Sequence, residues 1–132
     1  MKTRKNLFAL IAFCIVISVL ASTTVLARLT YIDITTTTLS ISSSGTATAI
    51  GNASGYQGTT TQIKINLELQ QYKNGSWNSL PNANWSQTFP SHRGNLSQTY
   101  SVAKGYKYRV KATYYGNGNL EVVDYSSEVY YQ

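Results

Sequence analysis

A chain of 132 residues is long enough for one domain and too short for two. Its formal net charge of +6 is modest, and Lys and Arg form no cluster beyond the N-terminus, which excludes the basic stripe typical of nucleic-acid-binding domains. One histidine and one cysteine leave too few ligands for a metal site built on nitrogen and sulfur. We therefore expect no metal, no cofactor and no nucleic-acid partner.

Residues 1–27 have the form of a secretory signal peptide. A basic start is followed by the apolar run Leu7–Ala21 and then by Val25-Leu26-Ala27, which places small residues at the two positions that signal peptidase reads. We predict cleavage after Ala27, with cleavage after Ala21 as an earlier alternative. The basic residues of this segment are Lys2, Arg4 and Lys5.

An uncleaved membrane anchor is the competing interpretation of the same segment. As a helix, Leu7–Ala21 would span roughly 22 Å, less than the ~30 Å hydrocarbon core of a bilayer. Residues 22–27 would extend it to ~31 Å, so length leaves the anchor open, but the polar run Ser22–Thr24 favours cleavage. Cys14 lies inside the apolar run, which argues against a lipid anchor. We expect a secreted protein, extracellular or wall-associated, that meets the membrane only through this segment.

The part of the chain that follows the signal peptide lacks cysteine. It holds eight basic and five acidic residues, a net charge of +3. Packing without a disulfide must therefore hold it together, which is feasible at about 105 residues. Residues 28–34 are predicted to form a flexible N-terminal segment ahead of a domain that spans residues 35–132. The Ser/Thr-rich stretch Thr35–Ser44 suits either a stalk or an edge strand, and the alternating Leu39 and Ile41 favour the strand.

Two-residue alternation dominates this domain and predicts β-strands. It is clearest at 63–69 and 106–114, and Val123 and Tyr125 repeat it over a shorter stretch. Asn74-Gly75 separates two strand-like segments and predicts a two-residue type I′ hairpin turn. About seven or eight short strands, with turns every 8–12 residues or so, predict an all-β antiparallel sandwich.

The segment Gly105–Ala112 resembles strand F of immunoglobulin-like and fibronectin type III-like domains. The resemblance implies that Tyr108 is a corner tyrosine, with its ring in the core and its hydroxyl bonded to nearby backbone. Val110 stands where an immunoglobulin cysteine would be, so the inter-sheet disulfide is missing. Together with 69–77, the stretch 100–113 is also similar to a family of small, uncharacterised secreted proteins of Gram-positive bacteria. That family implies a compartment and a fold, and no activity.

Residues suited to catalysis are sparse. His92 is the only histidine, and it follows Pro90 and Ser91 in a loop beside Arg93. Glu68 falls on the polar side of an alternating strand, where cross-strand pairing with basic residues explains it without an activity. The other carboxylates of this region are Asp33, Glu121, Asp124 and Glu128. We expect no catalytic residue and no enzymatic activity.

Aromatic residues give a clearer indication of a functional site than the ionisable residues do. If the alternation from Ile63 continues, Tyr72 faces solvent, and the tight turn at Asn74-Gly75 places Trp77 directly across from it. Tyr115 and Tyr131 are likewise out of phase with their neighbours. Tyr72, Trp77 and Tyr115 are therefore predicted to form an aromatic platform of the kind on which sugar rings stack. The alternative is a bulge at Gln70-Gln71, which would return Tyr72 and Trp77 to the core.

These observations predict a non-catalytic, monomeric extracellular domain. Its expected role is to bind or adhere to a cell-wall polysaccharide or to another surface protein. The alternatives are a small cationic effector, such as an antimicrobial or competition factor, and a structural component of the envelope.

Overall fold

The computed structural model describes residues 29–132, and every regular element in that range is a β-strand. The predicted signal peptide, with both of its cleavage sites, lies outside the described residues. Within 29–132 there is no helix long and apolar enough to cross a membrane. The strands are β1 (Ile32–Ile41), β2 (Thr46–Gly55), β3 (Ile63–Lys73), β4 (Ser76–Phe89), β5 (Arg93–Ser101), β6 (Tyr106–Gly116), β7 (Asn119–Tyr125) and β8 (Val129–Tyr131).

The eight strands form two antiparallel sheets that pack face to face, as the alternation predicted. The three-stranded sheet has the order β1-β2-β5. The five-stranded sheet has the order β4-β3-β6-β7, and β8 also pairs with β6. This arrangement, with the first, second and fifth strands facing a sheet built on the third and sixth, is an antiparallel β-sandwich.

The core lies between the two sheets, and the five-stranded sheet contributes the larger buried side chains. β3 and β6 contribute large side chains, whereas β2 contributes small ones. Gly51 shows why β2 carries small side chains on its core face: a Cβ atom there would lie 2.9 Å from Leu67 Cδ2 and 3.1 Å from the Tyr114 hydroxyl. The fully buried side chains of β3 and β6 are Ile63, Ile65, Leu67, Leu69, Tyr108, Val110, Ala112 and Tyr114.

Two tight hairpins fix the registers of the five-stranded sheet. β3 and β4 are joined by Asn74 and Gly75 alone, and β6 and β7 by Asn117 and Gly118 alone. All four residues have positive φ, between 48° and 81°. Positive φ at both central positions is what a type I′ turn requires, and Asn and Gly tolerate it best.

A large bulge interrupts β4 and leaves β3 intact. Glu68 pairs with Asn84 and Gln70 pairs with Ser79, so residues 80–83 of β4 stand opposite the single residue Leu69. The pairing of β3 with β6 is continuous from Ile63 to Tyr72. The alternative of a bulge at Gln70-Gln71 is therefore wrong: the irregularity lies in the edge strand, where a proline and a bulge cost few ladder hydrogen bonds.

The N-terminal boundary of the domain is earlier than predicted. We expected residues 28–34 to be flexible, but β1 begins at Ile32, whose side chain is completely buried. The Glu121 carboxylate of β7 accepts hydrogen bonds from the backbone N–H groups of Thr30, Tyr31 and Ile32, at 2.7–3.1 Å. The sequence gives no local sign of this contact, because 89 residues separate Ile32 from Glu121.

Tyr108 has the geometry of a tyrosine corner. Its ring is fully buried, and its hydroxyl donates to the carbonyl oxygen of Ala103, five residues upstream, at 2.6 Å. The side-chain amide of Gln71 donates to the same hydroxyl at 3.1 Å. The corner thus joins the start of β6 to the end of β3.

Candidate binding face

The outer face of the five-stranded sheet, which points away from the core, gathers most of the exposed apolar side chains. Directly opposite residues of paired strands share a face, so the outward positions of β3 fix those of its neighbours. Of seven large exposed hydrophobic residues in 29–132, only Leu29 and Ile34 lie elsewhere. The five on this face are Tyr72, Leu120, Val123, Tyr125 and Tyr130.

Tyr72 and Trp77 pair directly across the β3–β4 hairpin and lie on this outer face. Their ring centroids are 5.3 Å apart, but the ring planes are tilted by 59°. Tyr72 is 38% exposed and Trp77 is half-buried. The Lys107 ammonium lies 5.3 Å from the Tyr72 ring centroid. The predicted flat platform is therefore wrong in shape: the two rings meet at an angle and have cations beside them.

Tyr115 lies on the same face but at its far end. It pairs with Lys64, whose ammonium is 5.1 Å from the Tyr115 ring centroid. Eight residues of β3 separate Lys64 from Tyr72, about 27 Å at the usual rise of a strand. Tyr115 therefore does not share one platform with Tyr72 and Trp77, and the prediction of a three-residue cluster is wrong.

Arg109 of β6 is the centre of the aromatic cluster. Its guanidinium carbon lies 4.3 Å from the ring centroid of Trp77 and 4.3 Å from that of Tyr125. Cation–π contacts of this kind contribute about 0.5–2 kcal/mol each, depending on exposure. The arginine therefore links β4 to β7 across β3 and β6, through side chains alone.

Beneath this stack, a chain of hydrogen bonds runs across β3. Arg109 Nε donates to Gln70 Oε1 at 2.8 Å, and Gln70 Nε2 donates to Glu68 Oε2 at 3.0 Å. Ser79 Oγ donates to the other carboxylate oxygen of Glu68. Gln70 is only 8% exposed, although it points away from the core. Its buried amide is satisfied at both ends, which holds Arg109 in one orientation.

A shallow depression adjoins the cluster; we call it the polar depression because six of its eight lining residues are polar, although Leu67 and Trp85 also line it. Its volume is about 310 Å³, and it lies next to Tyr125, because Lys111 in its lining pairs with Tyr125. Ser86 Oγ donates to Asn66 Oδ1 at 2.6 Å along one side of it. Amides, hydroxyls, a carboxylate and an ammonium all face the depression, so it offers both donors and acceptors. The polar lining residues are Asn66, Glu68, Asn84, Ser86, Lys111 and Thr113.

Tyr125 and Tyr130 are members of this face that the sequence pattern missed. Val123 and Tyr125 were predicted to face the core, but Val122 does so instead, because the β6–β7 register shifts between Tyr114 and Tyr115. In β8, Tyr130 is 54% exposed, whereas Tyr131 packs against the core. A strand of three residues has too little alternation to fix its own phase.

The residues weighed for catalysis are scattered. Asp124 accepts from the backbone N–H of Tyr125, and Glu121 holds the N-terminal segment. His92 lies in the β4–β5 turn, where its carbonyl oxygen accepts from Gly55. No group of three or more His, Cys, Asp and Glu side chains that could hold a metal ion occurs in the part of the chain that the structure describes.

Comparison with known proteins adds nothing to this geometry: the chain matches no family model and no curated protein. The function must therefore be argued from the face itself.

Proposed function

We propose that the protein is a non-catalytic extracellular binding module and that the outer face of the five-stranded sheet binds a cell-envelope glycan. The observation that carries the proposal is the concentration of exposed tyrosines around a polar depression. Tyr72, Tyr125 and Tyr130 are the only large exposed aromatic residues in 29–132, and all three lie on this face.

This combination of groups suits a sugar better than it suits a protein partner. A sugar ring has an apolar face of C–H groups that stacks on an aromatic ring and an edge of hydroxyls that both donate and accept hydrogen bonds. The tyrosines supply the first kind of contact, and the polar depression beside Tyr125 supplies the second. Tyr, Trp and Arg are also enriched at protein interfaces, so the polar depression beside the cluster, rather than the cluster itself, favours the sugar.

The scaffold favours binding without large rearrangement. The tyrosines stand on paired strands, and tyrosine loses little conformational entropy on binding because it has two side-chain torsions. Export through the predicted signal peptide would bring this face to the cell envelope, and the net charge of +3 that remains after cleavage suits a surface rich in anions.

Retention of the purified protein on isolated cell-wall polysaccharide tests the proposal. Tyr125→Ala should weaken retention at least about tenfold, because a stacking aromatic in a binding centre contributes more than ~1.4 kcal/mol. Ile34→Ala is the matched control: Ile34 is 60% exposed but lies on the other sheet, so its loss should leave retention unchanged. Equal retention of both variants, or no retention of the parent protein, would contradict the proposal. Leakage of vesicles at similar concentrations would favour the cationic effector instead.

A further inference from the structure

Arg109 is held more rigidly than a surface arginine needs to be. Its guanidinium carbon lies over the rings of both Trp77 and Tyr125, and its Nε is bonded to the nearly buried Gln70. Two aromatic rings and one hydrogen bond thus hold the group. An arginine side chain ordinarily loses much conformational entropy when it binds a ligand. The Arg109 side chain is already ordered in the free protein, so ligand binding costs it less entropy.

The remaining edge of the guanidinium is open. Among residues 29–132, nothing accepts a hydrogen bond from the two terminal nitrogens of Arg109. No side-chain nitrogen or oxygen of residues 29–132 is fully buried without a hydrogen-bond partner, so neither terminal nitrogen of Arg109 is completely shielded from solvent. A planar fork of N–H groups that is held in place and whose end has no partner among residues 29–132 matches the two oxygens of a carboxylate or phosphate.

The neighbouring charges on β6 reinforce the same preference. Lys107 and Lys111 are two residues either side of Arg109 on the outer face, about 7 Å along the strand from it. Glu68, which pairs with Lys111, has both of its oxygens engaged by Gln70 and Ser79. Glu128 precedes β8 and is exposed, and among the described residues it has no ion pair with Arg109.

We propose that Arg109, flanked by Lys107 and Lys111, binds an acidic group of the ligand. The ligand is an anionic polysaccharide that bears carboxylate or phosphate groups. This inference rests on the proposed function, since it names the class of glycan that the face takes. The acidic group lies at the free edge of Arg109, and the adjoining sugar hydroxyls face the polar depression. Charge complementarity selects this occupant over a neutral glycan.

A matched pair of polysaccharides tests the inference directly. Polygalacturonate carries a carboxylate on every sugar, and its methyl ester has the same backbone without the charge. Dextran phosphate and dextran form the corresponding phosphate pair. Comparison of the two pairs therefore shows whether the site binds a carboxylate, a phosphate or both. In calorimetric titrations at low salt, we expect the purified protein to bind one or both anionic polymers at least tenfold more tightly than their neutral partners. The difference should shrink as salt is added.

Substitutions identify the residues that bind the anionic polymer. Arg109→Gln should reduce binding to the anionic polymer at least tenfold, and Arg109→Lys should recover only part of it, because lysine keeps the charge but loses the fork. Arg93→Gln removes the same charge from the outer face of the other sheet and should change binding less than twofold. Because Arg109 also supports the stack, circular dichroism must verify each fold, and the Lys107→Gln/Lys111→Gln variant provides an independent measure of the charge effect.

Four results would overturn the inference. Equal affinity for the anionic and neutral members of each pair would reject it and leave the proposed glycan-binding function standing. Equal loss in Arg93→Gln and Arg109→Gln would reject the site, and binding of anionic vesicles or duplex DNA as tightly as the polysaccharide would reject the class of ligand. Absence of binding to all four polysaccharides would reject the inference, and only absence of retention on isolated cell-wall polysaccharide would reject the proposed function as well.

Discussion

Removal of the Glu121 carboxylate should detach the start of β1 from the sandwich. The two carboxylate oxygens accept hydrogen bonds from three consecutive backbone N–H groups. Thr30 donates at 3.0 Å and Ile32 at 2.7 Å, and Tyr31 donates to both oxygens, at 2.8 and 3.1 Å. Hydrogen bonds to a charged acceptor contribute about 1.5–3 kcal/mol each when protected from water. Thr30 is exposed and Tyr31 is half-buried, so we expect Glu121→Ala to cost about 2–4 kcal/mol in total.

Urea unfolding measures this loss. With a denaturant slope of about 1–3 kcal/mol per molar, the unfolding midpoint should fall by about 0.7–4 M. Amide hydrogen exchange should accelerate at residues 30–32 before it does so in β3. Asp33→Asn is the control, because Asp33 is an exposed carboxylate in the same part of β1, and its midpoint should hardly move. A Glu121→Ala midpoint equal to that of Asp33→Asn, with exchange at 30–32 unchanged, would refute the reasoning.

Two further predictions concern buried tyrosines. Tyr108→Phe should cost about 1–2 kcal/mol by urea unfolding, because the carbonyl of Ala103 loses its donor, whereas Tyr108→Ala should cost about 3–5 kcal/mol through the cavity it leaves. A Tyr108→Phe variant as stable as the parent would mean that the hydroxyl does not matter, and equal costs for the two variants would mean that the ring does not. Burial raises the pKa of the Tyr114 hydroxyl, so its contribution to stability is complete below the ordinary tyrosine pKa of about 10 and is lost as pH rises through the folded value. The free energy of unfolding should thus fall more steeply above pH ~10 in the parent protein than in Tyr114→Phe, and parallel curves would contradict this assignment.

The architecture could be predicted from sequence because the two central strands carry strong local signals. The alternation of buried and partly exposed residues is unbroken from Ile63 to Leu69 in β3 and from Tyr108 to Gly116 in β6. The Asn-Gly turn fixed the register that pairs Tyr72 with Trp77. Where side-chain phase and turn chemistry agree over ten residues, neighbouring strands have few other ways to pair.

The centre of the candidate site could not be predicted in the same way. Arg109, Trp77 and Tyr125 belong to β6, β4 and β7, and their contact depends on registers across four strands. Two irregularities shape the site: the shift between Tyr114 and Tyr115 sets the register that turns Tyr125 outward, and the bulge at 80–83 in β4 sets which residues of that strand line the depression. Each changes which residues face outward beyond it, and neither leaves a distinctive pattern in the chain.

The location of bound ligand tests the central claim most directly. In a titration of isotope-labelled protein with a four-unit oligogalacturonate, followed by amide chemical shifts, we predict the largest changes at residues 70–77 and 107–111 and at Tyr125. Amides of the outer positions of β1, β2 and β5 should be unaffected and serve as the internal control. Shifts confined to the three-stranded sheet, or spread evenly over both sheets, would contradict the assignment of the outer face of the five-stranded sheet as the binding surface.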